Sequence, residues 1–150
     1  EFLEMYSLEK DPILVEHFHT VLPRYLGCNT IRKTKKIEVI LGDYTTNLFQ
    51  IIEKTSDPIT FFLGSFIPNP DETNQTNTLL KELDQIKKHP IKTHTILIDY
   101  IHRVDTLLCA NMATDAIIKK LLEINPLYKL TFETGGHLGK EPKAILVAHF

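Results

Sequence analysis

The chain has 150 residues, 43% of them hydrophobic and 24% charged, a composition typical of one globular domain over residues 1–150. Its 17 basic and 19 acidic side chains leave a net charge of −2, which argues against nucleic acid or an anionic membrane surface as a partner. No apolar stretch approaches the ~20 residues of a membrane span and no cleavable signal is evident, so we expect a cytoplasmic protein.

The chain opens with a strand followed by a helix. A short β-branched and aromatic run over about Leu3 to Leu8 ends at Glu9. Asp11 and Pro12 then fit the N-cap and the first position of a helix. We expect Pro23 to end or kink that helix.

Two further apolar runs predict strands. Ile37 to Asp43 is a strand that leads into a capping cluster and a helix from Thr45 onward. Ile59 to Phe66 is apolar without alternation, which predicts a strand buried on both faces. We therefore expect a second strand–turn–helix unit and then the start of a third.

The second half continues the alternation and ends in two strands. Thr78 to His89 is a predicted helix whose apolar stripe faces inward and whose outward residues include Glu82. Thr95 to Asp99 is the next strand. A helix from Ala113 to Ile124 follows. The last two strands, Tyr128 to Glu133 and Ala144 to Ala148, are joined by a glycine-rich connection that predicts an antiparallel hairpin beside the strand that contains Ile96.

Acids stand at the ends of three predicted strands. Glu9, Asp43 and Asp99 each close an apolar run. In an open parallel sheet, ligands bind in the crevice outside the carboxyl ends of the strands, so these acids point to one shared site of the nucleotide-cofactor type. No glycine-rich turn precedes Glu9.

One segment carries a family resemblance. Leu79 to Pro90 is a leucine-rich helix that leads into a strand ending Ile96-Leu97-Ile98-Asp99. It resembles class I, Rossmann-like methyltransferases that use S-adenosylmethionine, in a family where this strand ends Ile-Leu-Ile-Asp-Asp. The resemblance spans nearly the whole chain, but only the part of the fold that follows its first strand and helix. It implies an α/β fold with a Rossmann-like, mostly parallel sheet, helices on both faces and a C-terminal antiparallel hairpin, with the first strand missing.

The resemblance implies that S-adenosylmethionine is the cofactor and assigns two residues to it. Glu9 resembles the carboxylate that accepts both ribose hydroxyls, since one carboxylate can accept from both donors of a vicinal diol. The alternative is a solvated acid at the head of a helix. Asp43 resembles the acid that accepts from the adenine amino group, and the alternative is an N-cap. Both roles of Asp43 are compatible.

The implied catalytic centre departs from the family. Where relatives have Asp-Gly-His after strand four, this chain has Gly64-Ser65-Phe66, and after strand five it reads Asp99-Tyr100. One of three expected oxygen ligands is left, so we predict no metal site. Asp99 and His102 are the candidate catalytic residues, the second as a proton acceptor. Their alternatives are a cap and a surface histidine.

The resulting hypothesis is an S-adenosylmethionine-dependent methyltransferase-like domain, truncated or degenerate and inactive as given. The first alternative is a non-catalytic methyltransferase-like domain that binds a partner. The second is a dehydrogenase-like or glycosyltransferase-accessory Rossmann domain, against which the hairpin argues. The strands that flank the missing first strand would pair directly, leave a gap, or be completed by a second copy or a missing N-terminal segment.

Overall fold

The computed structural model describes residues 4–25, 36–64, 78–101, 114–135 and 141–150. The backbone divides into two compact units, Glu1–Leu48 and Phe49–Phe150. The elements in chain order are β1 (Glu4–Glu9), α1 (Pro12–Tyr25), β2 (Lys36–Leu41), α2 (Tyr44–Ile52), β3 (Thr60–Leu63), α3 (Thr78–Lys88), β4 (Thr95–Ile98), α4 (Thr114–Ile124), β5 (Lys129–Gly135) and β6 (Glu141–His149). The predicted alternation of strands and helices is confirmed.

The first unit is a parallel strand pair with a crossover helix. β1 and β2 pair in parallel, with Glu4 opposite Lys36 and Glu9 opposite Leu41. Asp11 caps α1 as predicted, because its Oδ1 accepts from the backbone N–H of Ile13 at 2.8 Å. Of the two outcomes expected at Pro23, an end of α1 is wrong, since the helix extends to Tyr25, and a kink stays a prediction. Pro23 falls in the last turn, where its missing N–H removes one hydrogen bond.

The second unit contains a four-stranded sheet of order β3-β4-β6-β5. β3 and β4 are parallel, whereas β6 is antiparallel to both β4 and β5. The predicted C-terminal hairpin and its place beside the Ile96 strand are therefore confirmed. Among the described residues two strand pairings are parallel and two antiparallel, in two separate sheets, and β3 pairs only with β4.

One face of this sheet forms the core with α3 and α4. Alternate residues of β3, β4 and β6 are buried, and so is one stripe of each helix. The prediction that β3 is buried on both faces is wrong, because Phe62 is 63% exposed while Phe61 and Leu63 are buried. An apolar run without alternation does not distinguish a covered face from an uncovered one, since the sequence does not show what lies over each face. No helix in the described ranges is long and apolar enough to cross a membrane.

The helices α3 and α4 lie side by side and join through charged groups. Lys120 Nζ lies 2.7 Å from Asp84 Oδ1, and Lys87 Nζ lies 3.0 Å from Glu123 Oε2. Glu82, expected to point outward, is buried with 2% exposure. The reason is helical geometry: position 82 is three residues after Leu79 and four before Ile86, so it shares their face.

Candidate functional site

Two of the predicted site residues, Glu9 and Asp43, lie at one edge of the first unit. Glu9 is the last residue of β1, and its carbonyl accepts from the backbone N–H of Gly42 at 2.9 Å. Asp43 follows Gly42 and precedes α2. Because β1 and β2 are parallel and in register, both acids lie at the carboxyl end of the strand pair.

The Glu9 carboxylate is half-buried and shapes the turn that follows β1. Its Oε1 accepts from the backbone N–H of Asp11 at 2.9 Å. In the part of the chain that the structure describes, no group donates a hydrogen bond to Oε2 of Glu9. The side chain thus contacts the head of α1, but it is not the solvated acid of the alternative interpretation, and Oε2 can still accept a hydrogen bond.

Asp43 is the N-cap of α2. Its Oδ1 accepts from Thr45 twice, from the backbone N–H at 2.7 Å and from Oγ1 at 2.5 Å. In return, the backbone N–H of Asp43 donates to Asn47 Oδ1 at 3.0 Å. The N-cap role is therefore confirmed. Within the described ranges Oδ2 of Asp43 receives no hydrogen bond, so an acceptor role toward a ligand is compatible with the cap.

In the second unit, Asp99 occupies the corresponding strand end. Its backbone N–H donates to Leu63 O at 2.9 Å, and its Oδ1 accepts from the backbone N–H of Tyr100 at 2.8 Å. Tyr100 has a φ of 58°, a left-handed conformation that is uncommon for an aromatic residue. This tight turn fixes the Asp99 carboxylate beside the end of β3.

Gly64 stands next to Asp99, at the position where the resemblance expects an aspartate. A Cβ at Gly64 would lie 3.8 Å from Asp99 Cβ, an ordinary van der Waals distance. The missing acid of the family would therefore be a direct neighbour of Asp99. His102, Ser65 and Phe66 lie outside the described residues. Over the described ranges no three His, Cys, Asp or Glu side chains gather as a metal site requires.

The structure buries two histidines, His89 and His94, for which the sequence indicates no function. His89 and His94 both have 0% exposure, and their rings are hydrogen-bonded to each other at 3.0 Å. Burial first, and then the neighbouring His89 and Lys92, lower the pKa of His94 to about 4. Each histidine follows or precedes an apolar element in the sequence, and no local pattern marks the two as partners.

Comparisons with known proteins assign no family to the chain. No protein-family model matches it, and no curated protein matches it in sequence. Among solved structures it is similar to the N-methyltransferase NodS from Bradyrhizobium japonicum WM9, with 11% sequence identity and a TM-score of 0.43 over 98% of this chain and 84% of that chain. A likeness of this degree establishes neither a shared fold nor a shared chemistry. Function therefore rests on the chain's own residues.

Proposed function

We propose that this chain is a methyltransferase-like domain of the Rossmann-like class that holds the adenosine end of S-adenosylmethionine weakly and transfers no methyl group on its own. The observation that carries the proposal is that Glu9 and Asp43 both lie at the carboxyl end of the parallel β1–β2 pair. Each carboxylate has one oxygen engaged in local structure and one without a hydrogen bond from the described residues.

These two acids suit the two ends of an adenosine group. A ribose presents two neighbouring hydroxyl donors, and an adenine presents an amino donor at some distance from them. Glu9, half-buried and held by the Asp11 amide, is placed to accept from the hydroxyls. Asp43, exposed at the start of α2, is placed to accept from the amino group. The residues present thus fit the adenosine half of the cofactor.

For the amino-acid half of the cofactor, the described residues offer fewer contacts. S-adenosylmethionine, when bound, would supply an electrophilic methyl group, and its amino-acid chain would need a close approach of the backbone such as a glycine-rich turn provides. Residues 1–8 of the given chain contain no glycine, so none of them forms such a turn. A loss of ~4 kcal/mol of contact weakens binding about a thousandfold, which moves a micromolar dissociation constant to the millimolar range.

Asp99 is the proposed catalytic residue. His102, which lies outside the described residues, is the proposed proton acceptor. Gly64 leaves Asp99 without the neighbouring acid that the resemblance expects. A single carboxylate is a poor site for a hard cation, which prefers about six oxygen ligands. We therefore infer that turnover is absent even when the cofactor is present at saturating concentration.

The test is a titration of the isotope-labelled chain with adenosine, S-adenosylmethionine and S-adenosylhomocysteine, followed through backbone amide resonances. We expect saturable shifts of the Gly42, Asp43 and Tyr44 amides with a millimolar midpoint for all three compounds. Adenosine alone should bind about as well as the full cofactor, because the other half makes few contacts.

Matched variants assign the shifts to the two acids. Glu9→Gln and Asp43→Asn should each abolish the adenosine-dependent shifts. Each substitution removes the negative charge and replaces one of the two acceptor oxygens by an NH2 donor. Glu16→Gln, which neutralises an exposed acid of α1, should leave them unchanged. Shifts that survive both site substitutions, or no shifts at any concentration, would contradict the proposal.

A further inference from the structure

We propose that the His89–His94 pair is an acid-sensitive switch: it joins the connection 53–59 to the connection 89–94 when both rings are neutral and releases them when either ring binds a second proton. The pair lies at the amino ends of β3 and β4, entirely within the second unit. It is therefore at the opposite end of these strands from Asp99. The proposal is independent of the function proposed above.

The hydrogen bonds form a single directed chain. The backbone N–H of Ile59 donates to His94 Nδ1 at 3.0 Å, so Nδ1 is the unprotonated nitrogen of that ring. His94 Nε2 must then carry the hydrogen and donate to His89 Nδ1 at 3.0 Å. It follows that His89 Nε2 carries the hydrogen of the second ring and donates to Thr55 O at 3.2 Å.

This series of hydrogen bonds can form only when both rings are neutral. A second proton on His94 would sit on Nδ1 and face the N–H of Ile59, two donors in contact. A second proton on His89 would likewise sit on Nδ1 and face the N–H of His94. In either case a buried hydrogen bond becomes a repulsive pair of donors, because the imidazolium form has no acceptor.

The surroundings offer no compensation for a positive charge. Two groups of the connection 89–94, His89 and Lys92, repel a positive charge on His94. The connection 53–59 contributes only backbone groups of Thr55 and Ile59, and β3 contributes the ring of Phe61, edge-on with its centroid 5.2 Å from that of His94. Within the described ranges no carboxylate contributes to the pKa shift of His94.

The direction of the pH effect follows from linkage. The pKa of His94 is lowered from 6.5 to about 4, so the released state binds more protons than the closed one between those values. The closed state is fully favoured above about pH 6.5 and loses its advantage as the pH falls toward 4. For pKa values of 6.5 in the released state and about 4 in the closed state, lowering the pH from about 7 to about 5 favours release by about 20-fold.

Release would loosen the start of the β3–β4 pairing. The carbonyl of Ile59 accepts from the backbone N–H of Thr95 at 3.0 Å, directly beside the N–H that His94 holds. Loss of the histidine contact therefore frees Ile59, the residue directly before the first paired residue of β3. The core of α3 and α4 does not depend on this contact, so opening should be local.

The test is the protection of individual amides against hydrogen exchange in the unaltered chain between about pH 7 and pH 5. We expect the protection factor of the Ile59 amide to fall by about 20-fold, while that of Leu83 in the core of α3 changes much less. The ring nitrogens of His94, observed by nitrogen NMR at neutral pH, should show hydrogen on Nε2 alone.

Variants separate a switch from a merely structural contact. His94→Asn keeps an acceptor for the Ile59 N–H, and His89→Gln keeps a donor for Thr55 O, so the double variant should stay protected and lose the pH dependence. His149→Gln, in β6 of the same unit, should retain it. If the double variant does not fold, the His94 ring spectrum and the Ile59 profile of the unaltered chain still decide the proposal. A protection factor of the Ile59 amide that stays constant between about pH 7 and pH 5 would overturn the proposal. Hydrogen on Nδ1 of His94 at neutral pH would overturn it as well.

Discussion

Substitution of Asp43 separates its role as a cap from its proposed role as a ligand. The Asp43 carboxylate accepts two hydrogen bonds from Thr45, and one of them satisfies a backbone N–H in the first turn of α2. Asp43→Ala removes both, and the loss of an N-cap costs about 1 kcal/mol, with a range of about 0.5–2. Asp43→Asn keeps an acceptor at the same position, so its cost should be no more than a few tenths of a kcal/mol.

The assay is urea unfolding followed by far-ultraviolet circular dichroism. With a slope of about 2 kcal/mol per molar urea, Asp43→Ala should lower the midpoint by about 0.5 M, and Asp43→Asn should leave it nearly unchanged. Thr45→Val is the matched control for the second hydrogen bond, because it removes Oγ1 and retains the backbone donor. If Asp43→Asn lowers the midpoint as much as Asp43→Ala does, the cap depends on the charge of Asp43 and not only on an acceptor.

The same pair of variants then tests the ligand role. If Asp43 also accepts from an adenine amino group, the Asn variant should lose adenosine-dependent shifts while its stability is preserved. If Asp43 is only a cap, the Asn variant should bind adenosine as the unaltered chain does. Unchanged binding in a fully stable Asn variant would therefore remove Asp43 from the proposed site.

Three further changes test the strand ends and the hairpin. Gly135→Ala should cost about 1–3 kcal/mol in urea unfolding, because its Cβ would lie 2.8 Å from Ile145 Cγ1, and Ile145→Val in the same chain should restore only part of the loss. Tyr100→Gly should be more stable than Tyr100→Ala by about 1 kcal/mol, since a φ of 58° strains any residue with a Cβ; equal stabilities would contradict this. Gly64→Asp should fold normally, because its Cβ meets nothing closer than 3.6 Å, and should make the Asp99 amide sensitive to Mn²⁺ broadening, which the unaltered chain should not show.

Local rules predicted the elements whose signals lie close together in the sequence. Asp11 caps the first helix as its neighbours indicate, and the glycine-rich connection before β6 joins an antiparallel hairpin. Asp43 precedes an apolar periodic stretch and caps it. In each case the interacting groups are separated by a few residues, so spacing alone carries the information.

Features that depend on distant packing could not be predicted in the same way. The exposure of Phe62 depends on which face of the sheet is covered, and no spacing within the strand shows that. The His89–His94 contact joins two residues whose roles are set by Thr55 and Ile59, more than thirty positions away in the chain. Candidate site residues were predictable as strand-end acids, but their hydrogen-bond partners were not.

Isothermal calorimetry of the unaltered chain with S-adenosylmethionine measures how tightly the chain binds the proposed cofactor. We expect a dissociation constant in the millimolar range or weaker, with no methylated product when the mixture is incubated with candidate acceptors. A dissociation constant in the low micromolar range, abolished by Glu9→Ala and preserved in Glu16→Ala, would contradict this expectation.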